Sequence, residues 1–151
     1  MLRFLFYIAV LGAVTRLQVA GAQIPETGEK LKCIVPIRAI TSGGAHWFGY
    51  YDKEAFDTTD RYVLAAGVDF EDRSPTADDA IQLGMVDTQN GDTWIPLGES
   101  TAWGWQQGCM LQWVPGARST ILYNTRENGR HIAVLKDVFT GDERKLTRAI
   151  Y

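Results

Sequence analysis

Short apolar runs separated by turn residues make up most of the chain from residue 46 onwards. Runs rich in Val, Ile, Leu, Tyr and Trp alternate with Gly, Pro and Asp-Gly-like turns at intervals of about 8 to 12 residues. No segment keeps the i, i+3, i+4, i+7 spacing of an amphipathic helix over three turns. The pattern predicts an all-β fold.

The pattern occurs twice along the chain. Residues 55–67 and 112–124 share an aromatic residue, a tight turn, an arginine and an apolar pair, at an offset of 57 to 58 residues. Residues 81–97 and 132–147 share an aspartate and a later Gly-Asp pair, at an offset of 50 residues. Segment 69–80 absorbs the difference and is predicted to be a longer loop. Repeats of roughly 40 to 50 residues built from short strands predict propeller blades or another β array.

Each copy of the pattern divides into four predicted strands. Asn90-Gly91 and Asn128-Gly129 are the strongest turn signals, because both residue types readily adopt positive φ. The predicted strands are 49–56, 61–68, 80–87 and 92–97 in the first copy, and 108–114, 119–124, 131–137 and 143–147 in the second.

Two stretches of the second copy carry a family resemblance. LQWVPGARSTILYNT (111–125) and HIAVLKDVFTGDERKLT (131–147) resemble the WD40-like repeat of TolB-type β-propellers, although Pro115-Gly116 stands where Pro-Asp-Gly is usual. HWFGYYDKEAFD (46–57) and WQQGCMLQW (105–113) resemble blade starts of the exported, oligogalacturonate-lyase-like branch. The resemblance implies four-stranded antiparallel blades of a six- or seven-bladed ring.

The predicted repeats correspond to blade 1 at residues 46–100 and blade 2 at residues 101–151. Two blades do not close a ring, which usually needs about four or more. Repeat arrays also need capped ends, and neither copy has the sequence of a cap. We therefore expect an incomplete propeller, the N-terminal part of a longer one. Self-association to complete the ring is the alternative.

The N-terminus has the pattern of an export signal. Arg3 precedes the apolar run 4–14, and the small residues at 20–22 fit a signal-peptidase site. A membrane anchor is the alternative, but the run is well short of the roughly 20 apolar residues that span a bilayer. We predict a signal peptide at 1–22, a lead-in segment at 23–45 and a periplasmic or extracellular protein with no membrane contact after signal removal.

The charge of the exported chain argues against nucleic-acid partners. Removal of Arg3 and Arg16 leaves 13 basic and 18 acidic residues, a formal net charge of −5. No basic patch of the kind that binds a polyanion is apparent. Individual arginines such as Arg126 and Arg130, which flank a predicted hairpin turn, remain candidates to bind an acidic sugar.

The two cysteines have two open interpretations. In an oxidising compartment, Cys33 and Cys109 could pair and close a loop of 76 residues. The alternative is that both are small buried apolar residues.

Candidate binding residues cluster in two stretches, 46–52 and 103–108, which precede the predicted inner strands of the two copies. Aromatic planes stack on sugar rings, while His, Asp and Gln side chains hydrogen-bond hydroxyl or carboxylate groups. The alternative is that the aromatic residues pack between blades and that Asp52 ties a turn. The candidate ligand-binding residues are His46, Trp47, Tyr50, Tyr51, Asp52, Trp103, Trp105, Gln106 and Gln107.

Neither a metal site nor a catalytic nucleophile is indicated in this chain. His46 and His131 are the only histidines, and neither lies at metal-ligand spacing from another donor. Cys109 falls in a predicted strand, where packing is favoured over nucleophilic chemistry. The resemblance implies no cofactor in this chain, a divalent metal carried by later blades, and a wall of a site for pectin-derived oligosaccharides that is inactive alone. The alternative is a non-catalytic exported propeller module that binds protein or glycan.

Overall fold

Eight strands form two four-stranded antiparallel sheets in the computed structural model, which describes residues 35–151. The predicted signal peptide and most of the lead-in lie outside the described residues. Neighbouring strands are adjacent in sequence, so each sheet is a meander, the form that a propeller blade takes. Sheet 1 contains β1 (Ala45–Trp47), β2 (Tyr62–Val68), β3 (Ile81–Asp87) and β4 (Thr93–Ser100). Sheet 2 contains β5 (Gln112–Trp113), β6 (Thr120–Glu127), β7 (Arg130–Asp137) and β8 (Glu143–Leu146).

The all-β prediction of two four-stranded antiparallel sheets is confirmed, and the arrangement is consistent with two blades of an incomplete propeller. Residues 35–151 contain no α-helix. Among these residues there is accordingly no helix that could cross a membrane.

Equivalent aspartates stabilise the two sheets in the same place. Asp87 ends β3 and accepts hydrogen bonds from Arg61 Nε at 2.8 Å and Nη2 at 2.6 Å. Asp137 ends β7 and accepts a hydrogen bond from the Ser119 hydroxyl. In each sheet, the aspartate at the end of the third strand thus bonds to the residue just before the second strand. The repeat inferred from the sequence is therefore present in the side-chain contacts.

The first predicted strand, 49–56, is wrong. β1 lies earlier, and Trp47 pairs with Ala66 of β2. A Cβ on Gly49 would lie 2.7 Å from the backbone oxygen of Gln107, so the chain leaves the sheet where it passes close to the second copy. It returns only at Phe56, which forms an isolated bridge. Local patterning does not reveal this long-range contact.

The inner strand of sheet 2 is shorter than the predicted 108–114. Gly108 and Met110 adopt φ values of 58° and 64°, in the left-handed region that interrupts a strand. Trp113 compensates for the short strand, because its backbone N–H donates to Glu54 O at 3.1 Å and its indole N–H donates to Ala55 O at 3.0 Å. These bonds fix β5 against the backbone that precedes β2.

The core lies between the two sheets. Leu64 and Met85 of sheet 1 are 0% and 1% exposed and pack in one cluster with Ile121 and Val134 of sheet 2. Burial of apolar surface at this scale contributes about 25 cal/mol per Å² and is the main force holding the sheets together.

Cys109 is part of this core. It is 1% exposed, and burial raises the pKa of its thiol to about 12. The prediction that it packs is confirmed, although Cys109 lies in the turn before β5 and not in a strand. Cys33 lies outside the described residues, so its pairing with Cys109 stays a prediction.

Candidate functional site

The two candidate stretches identified in the sequence meet in space. The Trp47 ring lies 5.5 Å from both the Trp103 and the Trp105 rings, measured between centroids. Trp103 and Trp105 contact each other edge to face, with centroids 5.1 Å apart and planes at 86°. Phe70 completes this aromatic cluster from the longer loop. The cluster joins the first blade to the segment that leads into the second.

The tryptophans also hold the longer loop, residues 69–80, in place. Trp103 Nε1–H donates to Asp79 O at 2.8 Å, and Trp105 Nε1–H donates to Arg73 O at 2.7 Å. Both indole donors are thus used by backbone carbonyls, and what they present to a ligand is ring surface. Trp105 keeps 37% of its surface exposed. The sequence-based alternative, that these aromatic residues pack, therefore accounts for part of their role.

A cavity of about 640 Å³ opens beside the two tryptophans. Its volume falls within the range of about 300 to 1,000 Å³ typical of small-molecule sites. One wall comes from the segment before β5 and another from the end of the β6–β7 hairpin, while residues 149–151 border it. The principal lining side chains are Trp103, Trp105, Gln106, Gln107, Arg126 and His131.

Arg126 and His131 form a polar pair in this cavity. They are directly opposed on β6 and β7, and Arg126 Nε–H donates to His131 Nε2 at 2.8 Å. Accepting this bond at Nε2 requires a neutral imidazole with its proton on Nδ1. Arg126 Nη1 also donates to Ala77 O at 3.1 Å, whereas Nη2 makes no hydrogen bond to any residue in the described range 35–151. A guanidinium edge is thus available beside an aromatic surface.

The remaining candidate residues lie elsewhere. His46 is on the opposite face of sheet 1, 5.3 Å from the Trp94 ring. The Tyr50 and Tyr51 ring centroids lie 4.5 Å apart. In the adjoining turn, Asp52 Oδ2 forms an ion pair with Lys53 Nζ at 2.7 Å. Four of the candidates line the cavity: Trp103, Trp105, Gln106 and Gln107. Trp47 packs behind them against the two tryptophans. The other four candidates do not line the cavity: His46, Tyr50, Tyr51 and Asp52.

His131 is one of the cavity residues that the sequence pattern did not indicate. A hairpin turn centred on Asn128-Gly129 pairs residue 127 with 130 and residue 126 with 131. Counting outward from this turn would have placed the imidazole beside the guanidinium of Arg126. The turn itself was recognised, so the missed signal was the register of the strands flanking it.

The described residues do not form a metal centre. Within 35–151, no group of three or more His, Cys, Asp or Glu side chains is placed to hold a metal ion. Comparison with known proteins finds no matching family model, no matching curated protein and no matching solved structure.

Proposed function

We propose that this chain is part of an exported β-propeller and binds an acidic oligosaccharide in the cavity beside Trp103 and Trp105. The observation that carries the proposal is the presence, in one cavity, of an aromatic surface and the Arg126–His131 pair. The resemblance to the oligogalacturonate-lyase-like branch supports a uronate-containing ligand of the pectin type.

Each group in the cavity suits a different part of such a ligand. The ring of Trp105 stacks on the apolar face of a sugar, while Arg126 Nη2 donates to the carboxylate in a charge-assisted bond. His131 Nδ1–H is a neutral donor, and the Gln106 and Gln107 amides exchange hydrogen bonds with hydroxyls. The combination distinguishes a uronate from a neutral sugar of the same size.

The proposal assigns binding, and not turnover, to this chain by itself. His131 is the imidazole that lines the cavity, and its Nε2 is engaged by the hydrogen bond from Arg126. In a completed propeller, catalytic groups from other blades would act on the bound sugar. A non-catalytic sugar-binding module is the second candidate, and β-elimination by the complete protein would rule it out.

Tryptophan fluorescence titration with trigalacturonate tests the binding site. The purified chain should show saturable quenching by trigalacturonate and much weaker quenching by neutral maltotriose. Arg126→Gln should weaken trigalacturonate binding about tenfold or more, because a lost charge-assisted bond is worth about 1.5 to 3 kcal/mol.

Arg130→Gln is the matched control. It removes the same charge from the same hairpin, but Arg130 does not line the cavity. Equal affinity for the two sugars, or equal effects of the two substitutions, would contradict an acidic-sugar site.

A further inference from the structure

Trp105 borders a second cavity, on the side of the longer loop, residues 69–80. This cavity has a volume of about 520 Å³. Its lining residues are Trp105, Glu71, Asp72, Arg73 and Ser74. We call it the loop cavity, and we call the cavity beside Arg126 the arginine cavity. Trp105 lines both, so a ligand that passes over the exposed part of its indole can enter both cavities.

The wall of the loop cavity is fixed by contacts within the loop and to Trp105. Arg73 Nη1 and Nη2 donate to the two carboxylate oxygens of Asp79, each at 2.7 Å. The guanidinium also lies over the Phe70 ring, with Cζ 3.4 Å from the ring centroid. Trp105 Nε1–H donates to the backbone carbonyl of the same arginine. The positive charge of Arg73 is thus already balanced by Asp79.

The two cavities differ in charge. Glu71 and Asp72 are exposed, and within residues 35–151 neither carboxylate makes a hydrogen bond or an ion pair. The loop cavity therefore has two unpaired negative charges. The arginine cavity has the guanidinium of Arg126, and no Asp or Glu side chain in the described range lines it. Trp105 thus stands between a positive cavity and a negative one.

Neighbouring sugar residues of different charge suit this arrangement. A uronate carboxylate in the arginine cavity accepts a hydrogen bond from Arg126 Nη2. In the loop cavity, ionised Glu71 and Asp72 only accept hydrogen bonds, so they bind the hydroxyl donors of a sugar and repel a second carboxylate. The Ser74 hydroxyl both donates and accepts, and it suits the same ligand. An uncharged sugar is therefore favoured over a uronate in the loop cavity.

We propose that the ligand is a mixed oligosaccharide in which a uronate is bonded to an uncharged sugar, with the uronate in the arginine cavity and the uncharged sugar in the loop cavity. The inference rests on the proposed function, because it takes the uronate site beside Arg126 as given. It adds that Glu71 and Asp72 select against a continuous polyuronate. A neutral sugar and a methyl-esterified uronate share the required chemistry, and the experiment distinguishes them.

Tryptophan fluorescence titration of the purified chain with tetrasaccharide probes tests the inference. The probes are tetragalacturonate, a tetrasaccharide in which galacturonate alternates with rhamnose, and partly methyl-esterified tetragalacturonate. At low ionic strength the alternating probe should bind about threefold or more tightly than tetragalacturonate. The preference should shrink as salt is added, because salt screens exposed charges. Tighter binding of the ester alone also supports the inference and assigns the uncharged neighbour to an esterified uronate.

Single substitutions identify the carboxylates as the cause. Asp72→Asn and Glu71→Gln each remove one charge from the loop cavity. Each should tighten tetragalacturonate binding about twofold or more and change the affinity for the alternating probe less. Asn tolerates the φ of 61° at position 72. Asp78→Asn is the matched control, because Asp78 is an exposed aspartate of the same loop that lines neither cavity. It should leave the ratio of the two affinities unchanged.

Tetragalacturonate binding as tight as that of the other probes, or equal effects of Asp72→Asn and Asp78→Asn, would overturn the inference. Arg126→Gln separates this failure from a failure of the proposed function. If Arg126→Gln weakens the binding of every probe and no preference is seen, the uronate site stands and the assignment of the loop cavity fails. If Arg126→Gln changes nothing, or if no probe binds, the acidic-sugar site fails and this inference fails with it.

Discussion

Replacing Gly84 with alanine should destabilise the protein through one neighbouring ring. A Cβ at this position would lie 2.2, 2.3 and 2.6 Å from three atoms of the Trp94 indole. Carbon atoms in ordinary contact lie about 3.5 to 4.0 Å apart, so the ring must retreat by more than about 1 Å. His46, with its ring centroid 5.3 Å away, stands beside the indole and limits a sideways shift. We expect the indole to swing away from the sheet.

The expected cost follows from overpacking and lost ring contacts. Inserting a methyl group into a filled space costs about 1 to 3 kcal/mol, and loss of the indole contact places the total near the upper end of this range. For a domain of this size, about 2 to 3 kcal/mol corresponds to a Tm lower by roughly 10 °C. Thermal unfolding followed by circular dichroism measures this shift.

A double-mutant cycle identifies the ring as the cause. In a Trp94→Leu background the smaller, flexible side chain can yield, so Gly84→Ala should cost less than about 1 kcal/mol and the coupling should be about 1 to 2 kcal/mol. An unchanged Tm in the single variant, or the same cost in both backgrounds, would refute the reasoning.

Two further outcomes follow from the titrating groups. The Cys109 thiol should react with a disulfide reagent at pH 8 only after unfolding, since burial raises its pKa to about 12; labelling of the folded chain after Cys33→Ser, at the rate of a free thiol, would contradict its burial. The hydrogen bond from Arg61 lowers the pKa of Asp87 below its ordinary 3.8. The stabilisation from ionised Asp87 is therefore fully present above pH 3.8 and is lost as the pH falls through the lowered pKa of the folded state. In Asp87→Asn, the free energy of unfolding measured in urea should depend less on pH over this acidic range. If the free energy of unfolding of Asp87→Asn falls with acid as steeply as that of the natural chain, Asp87 is not a source of the acid sensitivity.

The sequence predicts the architecture well wherever the determining contacts are local. Asn128-Gly129 marks its hairpin turn by backbone preference, since both residues adopt positive φ, whereas in the first copy positive φ falls on Gly91 and Asp92 and not on Asn90. The strands flanking both turns lie close to their predicted bounds. The strand predicted at 49–56 is wrong because Gly49 packs closely against the backbone of Gln107, a residue distant in sequence.

The same distinction applies to the cavity. Trp103 and Trp105 are conspicuous in the sequence, but their indole partners, the backbone carbonyls of Asp79 and Arg73, become evident only once the longer loop is placed. His131 becomes part of the cavity through strand register. Residue type therefore identifies candidates, while pairing decides which of them act together.

The bonds of Trp113 couple the two sheets through the backbone. β5 is only two residues long, too short to define its own register, and it takes that register from the backbone at Glu54 and Ala55. The register of the inner edge of sheet 2 is therefore coupled to the segment around residue 55, which precedes β2 of sheet 1. A change that displaces this backbone segment should loosen both sheets together, so the two sheets share part of their stability across residues that are distant in sequence.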